Sequence, residues 1–127
     1  HENKLNFISC GYGDLWYIPS GSDKVQKITA HNIALGIDAE AEFLEVQHGW
    51  EVGDIVMLTT YNTFTKAKAK KGKVTGFTEK DFTLFLKKQA FLPPQKQVDA
   101  VFRKITTSTK QSLEERPITL ISTQRKG

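Results

Sequence analysis

The stretch Ala41-Glu42-Phe43-Leu44-Glu45-Val46-Gln47-His48-Gly49-Trp50-Glu51-Val52-Gly53-Asp54-Ile55-Val56-Met57-Leu58 reads as strand, turn and strand. Its apolar runs carry the β-branched and aromatic content of strands and lack a helical period. Gly49 and Gly53 can supply turn dihedrals that a side chain would strain, and Asp54 can accept hydrogen bonds from its own turn. Beyond it lie a lysine-rich loop, the segment Gly72-Lys73-Val74-Thr75-Gly76-Phe77, and Phe82-Thr83-Leu84-Phe85-Leu86. Phe82, Leu84 and Leu86 fall on one face if that last run is extended, so it reads as a further strand. The span 41–88 is thus expected to form a compact central β unit.

Outward from it the same pattern recurs. Leu5–Ser9 and Asp14–Ile18 read as strands around a Gly11-Tyr12-Gly13 turn, and Val98–Ile105 and Ile118–Ile121 as later ones. Pro93-Pro94 removes two backbone donors and reads as a break. Residues 106–115 suit a polar loop or arm, and 122–127 a frayed tail. Some eight short strands with little helix predict an all-β fold, a small antiparallel β-sandwich or partly open β-barrel with long loops.

The chain has 127 residues, 18 Lys and Arg against 14 Asp and Glu, and a formal charge of +4. That size suits one domain with a core, 1–127, and the modest charge permits a polyanionic partner without requiring one. Cys10 is the single cysteine, which excludes an intrachain disulfide and a multi-thiolate metal site. No apolar run has the length of a membrane span, so no membrane insertion is expected. His1, His31 and His48 stand at no metal-ligand spacing, and no cofactor is expected. His1 fits either a processed terminus, which could hold copper, or a tag remnant. Glu40, Glu42 and Glu45 do not share one strand face, and no nucleophile elbow or phosphate loop is present. Enzyme activity is therefore not expected.

Two non-catalytic readings remain in front. Lys66, Lys68, Lys70, Lys71 and Lys73 make a dense basic hairpin, with Tyr61, Phe64 and Trp50 as stacking surfaces, which suits a small β-barrel that binds nucleic acid. The same lysines would equally keep an open strand edge from pairing indiscriminately. Strand edges and a polar arm would also suit a self-assembling subunit. A secreted metal- or carbohydrate-binding β domain is a third possibility.

The segment Glu45–Val56, with its His48-Gly49 and Gly53-Asp54, resembles the strand–turn–strand unit of tail tube and related virion proteins of long-tailed bacteriophages. Gly72–Phe77 and Asp81–Leu84 follow in the same pattern. The resemblance implies a structural subunit of a homo-oligomer, in hexameric rings stacked as a tube, in contact with DNA. It would be assembled in the host cytoplasm and carried in the virion, with Gly49, Gly53 and Asp54 carrying the turn and Phe82 and Leu84 the sheet face, while Gly72 and Gly76 are further turn candidates.

Overall fold

The computed structural model describes residues 3–11, 13–29, 32–60, 68–70, 73–75, 77–108 and 119–127. Among them the order is β1 (Lys4–Phe7), β2 (Asp14–Ile18), β3 (Gln26–Ile28), β4 (Val46–Gly49), β5 (Ile55–Thr59), β6 (Lys68–Lys70), β7 (Lys73–Thr75), α1 (Glu79–Gln89), α2 (Pro94–Ser108) and β8 (Leu120–Gln124). The fold is mixed α/β, and the all-β expectation is corrected by two helices of 11 and 15 residues.

Both helices lie where strands were expected. Phe82-Thr83-Leu84-Phe85-Leu86 satisfies period two, but Phe82, Leu86 and Ala90 also recur every fourth residue, and it is these three that enter the core. Leu84 is left half exposed on the outer side. Thr78 fixes the start of α1. Its hydroxyl accepts the Asp81 N–H at 3.2 Å, while the Asp81 carboxylate accepts the Thr78 N–H at 2.9 Å. In α2, Gln97, Val101 and Ile105 are buried at the same spacing. Pro94 opens this helix instead of breaking a strand, because a first-turn position needs no donor and favours proline's fixed φ.

The central sheet has the order β3-β2-β5-β8, and each of its pairings is antiparallel. Side chains alternate across it. Trp16, Ile18, Ile55 and Met57 face the helices and join Phe77, Phe82, Leu86, Val101 and Ile105 in the main core. The Trp16 and Phe82 rings meet edge-on, with centroids 5.0 Å apart. Leu15, Tyr17, Ile28 and Val56 face the other way, against Leu5, Phe7, Val46 and Trp50. Leu5, Phe7 and Val46 belong to the antiparallel pair β1–β4, which lies across the second face. The layers are therefore helices, four-stranded sheet and two-stranded sheet.

Strand–turn–strand was the expectation for 41–58, yet β4 and β5 belong to different sheets. The turn between them carries the chain from one layer to the next. The tail expected to fray is paired, since Ser122, Thr123 and Gln124 oppose Met57, Val56 and Ile55.

Candidate functional site

A buried carboxylate with three hydrogen-bond donors, Asp54, stands at the crossing between layers. Its side chain is buried. Oδ2 accepts the Tyr17 hydroxyl at 2.5 Å and the Glu51 N–H at 2.7 Å, and Oδ1 accepts the Ser20 N–H at 2.8 Å. Burial opposes its charge, but the Tyr17 hydroxyl and the two backbone donors outweigh that and hold its carboxyl below the usual range. The same surroundings push Tyr17 far above an ordinary phenol, chiefly through burial and then through the hydrogen bond to Asp54. Deprotonated aspartate and neutral tyrosine are the locked states.

The backbone explains the neighbouring glycine. Gly53 has φ +92°, and a Cβ there would come within 2.5 Å of the Ser20 hydroxyl. Its N–H donates to the Arg125 carbonyl at 2.9 Å, and the Arg125 N–H returns to the Asp54 carbonyl at 2.9 Å. The Arg125 guanidinium donates to the Trp50 carbonyl and, at 2.6 Å, to Asn3 Oδ1. The turn before β5 is thus tied to the end of β8 and, through Arg125, to Asn3 at the start of β1. Gly49, by contrast, pairs with Lys4 within the β1–β4 ladder and has no positive φ.

A second cluster bridges the sheet to α1. Lys27 Nζ lies 3.2 Å from Asp14 and 2.8 Å from Glu79, and 5.6 Å above the Trp16 ring. Partial burial works against its charge, yet the two carboxylates raise its pKa. Both acids are thereby committed to a cation already in the chain.

The other expected site residues are dispersed. Trp50 is partly buried against the β1–β4 side of the core and so is no open stacking platform, and the His48 ring lies tilted against Tyr17, centroids 4.1 Å apart. Lys68 and Lys70 lie on β6 and Lys73 on β7, an antiparallel hairpin with Lys70 opposite Lys73. Lys66, Lys71, Tyr61, Phe64, Gly72, Gly76, His1 and His31 lie outside the described residues. Sequence reasoning missed Tyr17 as the partner of Asp54, because no spacing links positions 37 apart. It also missed the Asp14–Lys27–Glu79 bridge for the same reason. No described helix is long and apolar enough to cross a membrane.

No family model and no curated protein matches the chain. Solved structures do. The SiaA-PP2C domain of Pseudomonas aeruginosa aligns with a TM-score of 0.72 at 19% identity, over 97% of this chain and 47% of that one. The PP2C phosphatase domain of the Bacillus subtilis cell fate determinant SpoIIE, with a fragment of its regulatory domain, also aligns at 0.72, with 18% identity over 95% of this chain and 34% of that one. The SpoIIE phosphatase domain described as Mn presoaked aligns at 0.63 and 19% identity, over 98% of this chain and 51% of that one. The chain spans about half the length of the phosphatase-domain chains it matches.

The manganese named for that SpoIIE crystal prompts a test of fit. Among the described residues no group of three or more His, Cys, Asp or Glu could hold a metal ion. Asp54 has its oxygens filled by donors, and Asp14 and Glu79 are engaged by Lys27. The described residues do not fit such a site, and no chemical step is routed through one.

These likenesses correct the functional expectations. The fold is shared with phosphatase domains, so the phage tail-tube resemblance fails, and with it the hexameric ring, the contact with DNA and the place in a virion. The expectations of a protein without catalysis and of a non-catalytic binding domain assumed an all-β fold; the observed fold is instead one shared with phosphatase domains. In fold, this chain is similar to about half of a PP2C-type phosphatase domain.

Proposed function

We propose that this chain is part of a PP2C-type serine/threonine phosphatase domain, and that the protein acts in signalling by dephosphorylating other proteins. The observation that carries this reading is the extent of the fold match: 97% of the chain aligns with the SiaA-PP2C domain at a TM-score of 0.72. Agreement over that length takes in the sheet, both helices and the β1–β4 layer together, which a chance likeness of one motif would not. One SpoIIE neighbour carries part of a regulatory domain in the same chain, which suits a signalling role.

In the reaction, water adds to phosphorus as the bond to the seryl or threonyl oxygen breaks. The protein alcohol leaves with a proton and inorganic phosphate is released. The described residues of this chain supply the frame for that chemistry. The Asp54 turn fixes the β2–β5–β8 register, and Lys27 anchors α1 to the sheet. None of the described residues is assigned a part in activating water.

The test is phosphate release from p-nitrophenyl phosphate and from a phosphoserine peptide, using the protein at its full natural length with and without Mn²⁺. Hydrolysis well above a heat-inactivated control supports the proposal. A folded protein inert towards both substrates in either condition overturns it.

A further inference from the structure

Each helix gives one stripe of side chains to the core, and beside those stripes a cleft is left between them. On α1 the core positions are Phe82, Leu86 and Ala90, and the flanking stripe is Asp81, Leu84, Phe85 and Lys88. These four line a cavity of about 370 Å³ together with Lys104 and Ser108 of α2. That volume lies at the low end of small-molecule pockets, about 300–1,000 Å³. Leu84 is half exposed and Phe85 only partly covered by the core, so both offer apolar surface to the cavity. Lys104 Nζ stands 6.0 Å over the Phe85 ring, which places its ammonium beside that surface. Charge in the cavity is unbalanced. Among the described lining residues Asp81 is the one acid, and its Oδ2 already accepts the Thr78 N–H at 2.9 Å and the Thr78 hydroxyl at 2.7 Å. Lys88 and Lys104 face it two to one, and neither forms a salt bridge among the described residues.

We infer that the α1–α2 cleft is a binding site for a small aromatic carboxylate, its ring against Leu84 and Phe85 and its carboxylate held by Lys88 and Lys104. Charge selects the anion. Two ammonium groups supply donors to a carboxylate, and the Ser108 hydroxyl adds another to the same lining. The apolar wall selects the ring, because a bare inorganic anion would leave Leu84 and Phe85 against water. Size selects a small molecule, since a helical or extended peptide needs a longer groove with several anchoring pockets. The cleft shares no residue with the Asp54 turn or the Lys27 bridge, and its ligand chemistry stands apart from the phosphatase reading.

The probe is 1-naphthoate, titrated by calorimetry into the protein at its full natural length. Saturable binding with a Kd of about 1 mM or tighter is expected for a ligand of this size. 1-Naphthalenemethanol keeps the rings and loses the charge, and should bind at least about tenfold more weakly. Lys88→Gln with Lys104→Gln should weaken naphthoate binding at least about tenfold. Lys87→Gln with Lys96→Gln removes the same charge outside the lining, and at physiological salt should change it less than about twofold. Folded protein that shows no saturable binding up to about 10 mM naphthoate overturns the inference. Equal affinity for the alcohol does so too, because the cleft would then be an apolar crevice that makes no use of its lysines. Unchanged binding in the Lys88 and Lys104 variant, or an equal loss in both double variants, also overturns it. The comparison of the two ligands uses unaltered protein and decides the matter even where a variant fails to fold.

Discussion

The helix-covered and open faces of one four-stranded sheet are made by alternate residues of the same strands, yet they are finished differently. Trp16 and Met57 lie under α1 and α2, which the chain itself supplies, and are sealed from water. Leu58, next to Met57, and Ile121, opposite it across the ladder, meet only a partial second layer. A strand's period of two assigns its side chains to faces but says nothing of what will cover each face. The difference separates residues that hold this chain together from residues that the described structure leaves partly open to solvent.

Substitutions across the two faces should give unequal effects. Phe82→Ala removes a fully buried ring from the helix face and should cost about 3–5 kcal/mol in urea unfolding. A loss below about 1 kcal/mol would show that the helix face is loosely packed. Asp54→Asn comes next, because it weakens a buried acceptor of three hydrogen bonds, and should cost about 1–3 kcal/mol. Tyr17→Phe should cost less by itself, and the double variant less than the sum, as expected for side chains in contact.

The Asp54–Tyr17 pair also predicts a pH profile. The Asp54 carboxyl is held low in the folded state, so its contribution is complete above the unfolded value of about 4 and drains as pH falls below it. Tyr17 is held high, so its contribution is complete below about pH 10 and is lost as pH rises past that. Unfolding free energy measured from pH 3 to 11 should fall at both ends, and Asp54→Asn should flatten the acid limb. Thr78→Ala removes the cap of α1 and should cost about 1 kcal/mol by the same unfolding assay. Ile121→Ala, on the open face, should fall within about 0.5 kcal/mol of the parent in the free chain.

Much of the sheet could be read from the residues. The strands at Leu15–Ile18 and Ile55–Leu58 are continuous apolar runs with β-branched and aromatic side chains, and both lie in the central sheet. Phe82–Leu86 could not be settled by pattern, because five residues with apolar positions at first, third, fourth and fifth place satisfy both periods. The pair Thr78 and Asp81 was the available clue, a capping-box spacing just ahead of the apolar run. Val98–Ile105 reads as a strand only if Pro93-Pro94 is a break, whereas Pro94 marks a helix start.

The functional site was hardly legible at all. The His48-Gly49 and Gly53-Asp54 pattern that suggested a virion protein is the chemistry of a tight crossing between layers, which unrelated β folds share. The hub it forms needs Tyr17 and Ser20, brought in from another strand and its following turn. The likeness of fold to phosphatase domains lies in the backbone, at 18–19% identity, where short motifs do not carry it.

The most direct measurement on the two-face account is solvent accessibility of individual methyl groups, by NMR of the free chain with a soluble paramagnetic probe. Leu58 and Ile121 methyls should broaden strongly, while those of Met57, Leu86 and Val101 remain sharp. Leu58 and Ile121 methyls as protected as that of Met57 would contradict the open face.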